Sequence, residues 1–127
     1  NNDPADSSFL PVYSTAVGYD GYLHWSFQNW NDKPMTDTRW RMFGPGDTFF
    51  IYPDGRSSVR YERFVEGIQL SEKIRLLREF MTADGDTQGI QRLENALGPI
   101  RSVGMSAAVS SATIVNDLSV AISLLSR

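Results

Sequence analysis

The stretch from Ser57 to about Met81 constrains this chain more than any other, because its apolar residues follow a helical period yet do not share one face. When successive residues are turned by about 100°, Tyr61, Phe64, Val65 and Ile68 fall together, whereas Leu70, Ile74, Leu77 and Met81 fall on nearly the opposite side. A helix of this kind needs two sets of neighbours. Its first half is expected to pack on the residues N-terminal to it and its second half on the C-terminal residues. The change of side comes near Gly67, which predicts either a close backbone approach or a bend there.

The N-terminal residues read as one helix and two strands. Residues 3–18 suggest a helix with Ser7 or Ser8 as N-cap, Pro11 in its first turn where no intrahelical N–H is needed, and Gly18 as its stop. After the turn residues Tyr19-Asp20-Gly21, Leu23, Trp25 and Phe27 alternate with Tyr22, His24, Ser26 and Gln28, which predicts a strand over 21–28 with Trp25 in the core and a ligand contact as the alternative for it. Residues 29–47, with Pro34, Gly44, Pro45 and Gly46, form a long loop, and loops of that length are commonly functional. A second strand, Thr48 to Tyr52, is stopped by Pro53-Asp54-Gly55.

Beyond Met81 the pattern stays helical. Ile90, Leu93 and Leu97 predict a helix opened by Asp86 or Thr87 and closed by Gly98-Pro99. A last helix is expected from about Ser106 to Leu125, with Val115, Leu118, Ile122 and Leu125 as its inner stripe. The fold class is therefore α+β, mainly helical: two short strands plus four helices. No repeat or separating linker divides the chain, so residues 1–127 read as a single domain or fragment.

Composition narrows the function classes. Of 127 residues, 41% are hydrophobic, enough for one core. The net charge of −3, without a basic run, argues against nucleic acid and against an anionic membrane surface. No apolar run approaches the roughly 20 residues needed to span a bilayer. The absence of cysteine excludes a disulfide, a thiolate nucleophile and a thiolate zinc site, and one histidine excludes most histidine metal clusters. Neither a metal nor a cofactor is expected. The chain begins with Asn1, as a mature product or a piece of a longer protein would.

Several polar residues read as architecture. Glu62 and Glu66, beside Arg60 and Arg63, suggest a solvated, ion-paired helix face rather than a catalytic carboxylate pair. Glu72 shares the face of Tyr61 and Phe64 and would need a partner such as Arg39 or Arg41 if buried. Asp47 reads as a turn former whose carboxylate accepts backbone N–H groups, with ligand binding as the alternative. Pro53-Asp54-Gly55-Arg56-Ser57-Ser58 is a turn leading into an N-cap, without phosphate-loop spacing. His24, beside Trp25, reads as a structural donor, with a ligand contact as the alternative. The most pointed feature is Gln28-Asn29-Trp30-Asn31, amide and indole side chains set where the first strand ends.

Two stretches carry a family resemblance. GYDGYLHWSFQNWNDKPMTDTRWRMFGPGDTFFIYP followed by SSVRYERFVEGIQLSEKIRLL resembles the C-terminal part of the glycoside hydrolase family 123 catalytic domain and the related uncharacterised proteins that share its signature. The resemblance rests on Gly21-Tyr22-Leu23-x-Trp25, Trp30, Gly46-Asp47-Thr48, Tyr52-Pro53, and a helix carrying Ser58, Arg60, Glu62, Gly67 and Glu72 in order. One departure is Leu70-Ser71, where the family commonly has an Asp-Tyr pair; an apolar neighbour is expected against this part of the helix.

The resemblance implies the last βα portion of a (β/α)8 barrel over residues 5–81, with 82–127 as a helical tail. It also implies action on β-linked N-acetylgalactosamine with the substrate's own acetamide as nucleophile, assisted by an Asp and an adjacent Glu. No adjacent Asp-Glu occurs in this sequence, so no catalytic residue is assigned and the chain alone is expected to be inactive. Strand ends and the loops after them face ligand in such barrels, which marks Gln28, Asn29, Trp30 and His24 as sugar-binding candidates, with Trp30 as the platform for a sugar ring and Gln28 as the partner of a hydroxyl or acetamide. The implied partners are an N-acetylgalactosamine-containing carbohydrate and the remainder of the parent barrel, and the implied location is extracytoplasmic. Unpaired strand edges would also favour self-association. The alternative reading is a non-catalytic carbohydrate-binding or structural interaction module.

Overall fold

A computed structural model of the chain describes residues 3–104 and 110–127. It contains four helices: α1 (Asp6–Ala16), α2 (Val59–Ala83), α3 (Thr87–Val103) and α4 (Ser111–Leu125). The expected helical residues 106–109 ahead of α4 lie outside the described residues.

Helix α1 starts earlier than the serines suggest. Asp3 Oδ1 accepts the Ala5 N–H at 2.9 Å, and Ser8, expected as a cap, instead lies buried within the helix and donates to the Ala5 carbonyl at 2.8 Å. Pro11 consequently sits inside the helix rather than in its first turn. Its missing N–H costs the Ser7 carbonyl a helical partner, a loss offset by packing of Phe9, Val12 and Ala16 in the core. The end is as expected from Gly18. With φ at 88° it donates to the Thr15 carbonyl at 3.3 Å, while Tyr19 donates to the Ser14 carbonyl at 2.8 Å, a Schellman arrangement that only glycine enters without strain.

The two expected strands do not develop. Among the described residues there is no sheet, only isolated antiparallel bridges: Gln28 with Phe49, Trp40 with Phe43, and Ile51 with Ser57. The side chains show why. Tyr22, His24 and Phe27 all turn inward, with Tyr22 at 5.9 Å and Phe27 at 5.5 Å from the Phe64 ring and His24 at 4.8 Å from the Phe50 ring. Inward positions 22, 24 and 27 break a period of two. The Phe27 carbonyl accepts from both Phe50 and Ile51, at 3.0 and 3.3 Å, two residues against one, and the ladder stops there. The same register puts Leu23, at 90% exposure, and Trp25, at 52%, outside; Trp25 is not a core residue.

Ser58 opens α2 by accepting the Tyr61 N–H at 3.2 Å. The buried line along α2 runs Phe64, Gly67, Leu70 and Ile74, so the change of side is a gradual drift through the glycine rather than a jump between opposite faces. Ile68 is correspondingly exposed. Gly67 lies on the backbone of Ser8: a Cβ built there would fall 2.5 Å from the Ser8 carbonyl oxygen. This is the close approach of the two expected outcomes. Leu70, at the position where the family has a polar pair, is buried in the shared core.

Helix α3 is capped by Asp86, whose carboxylate accepts the Gly89 N–H at 2.8 Å. It runs through Gly98-Pro99 to Val103 instead of closing there. Pro99 and Asn95, the residue whose carbonyl loses its donor, are both exposed, so water can take the missing N–H's place. The core joins all four helices: Phe9 and Val12 of α1, Leu70 and Ile74 of α2, Leu93, Leu97 and Ile100 of α3, and Val115, Leu118 and Ile122 of α4.

Candidate functional site

Residues 21–52 wrap one end of α2 and bring the expected site residues together by hydrogen bonding rather than by sheet formation. Asn29 is held on both sides: its N–H donates to the Thr48 carbonyl at 3.1 Å, and the buried Thr48 hydroxyl donates to the Asn29 carbonyl at 2.8 Å. Its side-chain amide donates to Ser26 Oγ at 2.6 Å. Trp30 is half-buried, with its indole N–H donating to the Ile51 carbonyl at 2.8 Å. Asn31 closes the loop beyond it. Its Nδ2 donates to the carbonyls of Asp37 and Arg39, at 3.0 and 2.8 Å, and its Oδ1 accepts the Lys33 N–H at 2.8 Å. Amides at the end of the segment thus replace the backbone pairing that the segment lacks.

His24 is tied at both ring nitrogens. Its Nε2 lies 2.9 Å from the Asp47 carbonyl, which can only accept, so Nε2 carries the proton; Nδ1 then accepts from the Tyr22 hydroxyl at 3.2 Å. Burial, and secondarily the Asp47 carboxylate, push the Tyr22 phenol above its ordinary pKa, so it remains a donor to His24. Asp47 lies in a turn through its backbone, its N–H donating to the Gly44 carbonyl at 3.2 Å, but among the described residues its carboxylate does not accept the backbone N–H groups expected of it. Gln28 is the contrast. Its backbone is bridged to Phe49, its side chain is exposed, and its amide makes no hydrogen bond among the described residues.

Two features escape a reading of the sequence. The first is the aromatic pair Trp25 and Phe43, with ring centroids 4.6 Å apart and planes inclined at 35°. Phe43 reaches Trp25 because Trp40 and Phe43 are bridged across a tight turn in which Arg41 adopts a φ of 52°, its guanidinium 5.2 Å from the Trp40 ring centroid. The second is a groove of about 580 Å³ between α1, α2 and residues 18–22, lined by Tyr19, Tyr22, Phe64, Ile68, Glu72 and Arg75 among others. Of the tied polar cluster, only Tyr22 reaches it; His24, Gln28, Asn29 and Trp30 do not line it.

The remaining charges are local pairs. Glu72 is exposed and bonds Arg75 of its own helix at 2.7 Å, not Arg39 or Arg41. Arg39 instead holds Asp37, and the hydrogen bonds from its guanidinium and backbone lower the Asp37 carboxyl to about 2. Arg63 pairs with Glu66 at 2.7 Å, and Ser57 donates to Glu62 at 2.5 Å, consistent with a solvated helix face. Among the described residues no three His, Cys, Asp or Glu side chains come together as a metal site, and no helix is long and apolar enough to cross a membrane.

A family model for the glycoside hydrolase 123 catalytic domain matches residues 1–77. The matched span takes in α1, the wrapped loop with its tied polar cluster and the Trp25–Phe43 pair, and most of α2. A comparison with curated proteins gives no match.

Proposed function

Because this chain belongs to the glycoside hydrolase 123 family, matched over its catalytic domain, we propose that it is the C-terminal portion of a β-N-acetylgalactosaminidase-type barrel, contributing sugar contacts and barrel closure but not the catalytic pair. The observation that supports this most directly is the fixed loop beyond residue 24. Asn29 and Trp30 are held by the Thr48 and Ile51 backbone, while the amide of Gln28 is left outward and uncommitted. A preorganised loop with one open amide suits recognition of sugar hydroxyls or an acetamide, since the ordering cost is met before the ligand arrives. In this reading Gln28 contacts ligand. Asn29 and His24 position the loop, and Trp30 presents a ring beside it.

The chemistry of the intact domain would use a substrate acetamide oriented by an Asp and protonation by an adjacent Glu, a pair that this sequence does not contain. Residues 21–28, which form no strand in this chain, would pair with neighbouring strands only in the intact barrel.

The test is an assay of this chain on an aryl N-acetyl-β-galactosaminide together with binding of the methyl glycoside. The expected result is saturable binding without turnover. Turnover that disappears on changing one residue of this chain would overturn the non-catalytic assignment, and no binding of any sugar would overturn the carbohydrate role.

A further inference from the structure

We infer that Trp25, backed by Phe43, is the platform on which the apolar face of a pyranose ring rests, an inference built on the carbohydrate reading above. Trp30 is the indole nearest the open Gln28 amide in sequence, but it is half-buried and its N–H is occupied by the Ile51 carbonyl. Trp25 is 52% exposed, and its indole N–H makes no hydrogen bond among the described residues. Phe43 packs against this indole, with ring centroids 4.6 Å apart and planes inclined at 35°, and about half of the tryptophan stays open to solvent.

An exposed tryptophan, with Leu23 and Met42 each at 90% exposure nearby in the chain, is an apolar surface that needs an account. Carbohydrate is the occupant that fits the family membership of this segment, which lies inside the matched residues 1–77. A pyranose presents a C–H face to an indole and hydroxyls around its rim. An indole with a ring face and an unused N–H donor offers a contact for each, and a ring already stacked on Phe43 loses little freedom when the sugar binds.

The experiment tracks the three indole N–H resonances of the whole chain by NMR during titration with methyl N-acetyl-β-D-galactosaminide. Single Trp-to-Phe variants assign the resonances. The Trp25 signal is expected to shift with saturation, Trp25→Ala to weaken binding about tenfold, and Phe43→Ala to weaken it less, because only the backing is lost. Since Trp25 lies outside the core, its variants should keep the far-ultraviolet circular dichroism of the parent. Binding lost in Trp30→Ala but retained in Trp25→Ala would overturn the platform assignment and leave the carbohydrate reading intact. Absence of any sugar binding by the parent chain would overturn both. Concentration-dependent dimerisation relieved by Trp25→Ala, with sugar binding unchanged, would make this surface an interface between copies and overturn the assignment.

Discussion

At Gly67 a single hydrogen in place of a side chain decides how closely α1 and α2 approach. The Ser8 carbonyl oxygen, 2.5 Å from where a Cβ would lie, is main chain and cannot swing aside, so Gly67→Ala must push the helices apart. A loss of about 1–3 kcal/mol is expected, read as a lower urea midpoint at unchanged slope; an unaltered midpoint would mean that the contact is looser than described. Residue identity alone left two outcomes here, a close approach or a bend, and the Ser8 backbone against Gly67 decides for the first. Trp25 was not legible in the same way. It is apolar, it alternates with polar neighbours, and those facts favour burial; only the inward turn of Tyr22 and His24, each with its polar atom satisfied, puts Trp25 outside.

Between elements, the C-terminus of α1 is held by cations that its own last turn lacks. Arg101 of α3 donates to the Ala16 carbonyl at 2.6 Å and Arg78 of α2 to the Thr15 carbonyl at 3.2 Å, and Glu94 accepts from both guanidiniums. Two arginines thus complete the helix end, and Glu94 keeps them in place. Burial raises the Glu94 carboxyl, but the hydrogen bonds from Arg78 and Arg101 outweigh it and the net shift is downward. A carboxyl lowered by folding adds stability that is fully present above its ordinary value, about 4.3, and is lost as pH falls through the folded value. Urea midpoints of the parent should therefore drop more steeply below about pH 4 than those of Glu94→Gln, which should lose about 1 kcal/mol at neutral pH because the pair is partly solvated. Parallel acid limbs would show that Glu94 does not link the three helices. The caps are simpler: Ser58→Ala removes the acceptor for the Tyr61 N–H and should cost α2 about 1 kcal/mol, measured by the same denaturation.

For the whole molecule, the decisive fact is that α3 and α4 share one core with α1 and α2. Leu93 and Leu97 of α3 and Ile122 of α4 are fully buried beside Val12 and Ile74. A chain ending at residue 83 would uncover this surface, and it is expected to melt without cooperativity and to bind a hydrophobic dye; a sharp transition would show that α1, α2 and the wrapped loop stand alone. Ile74→Ala, a truncation at the centre of the core, should cost about 2–5 kcal/mol.

Four helices, the stop at Gly18, a capped entry to α2 after the turn at 53–58, an opening of α3 at Asp86 or Thr87, and the family resemblance were all readable along the chain. Each depends on residues adjacent in the chain or on a one-dimensional period. Tertiary structure decided the rest. Whether Pro99 ends a helix depends on whether the orphaned carbonyl meets water. The inner face of residues 21–28 depends on which rings find Phe50 and Phe64, and the partner of Glu72 depends on whether it is buried at all. Such outcomes are set by neighbours distant in sequence, so the same residues could not announce them in advance. The amide cluster at 28–31 shows both sides: its residue types and place marked it as a candidate site, and folding decided that the Asn29 amide binds Ser26 Oγ and the Asn31 amide binds backbone carbonyls while Gln28 stays open.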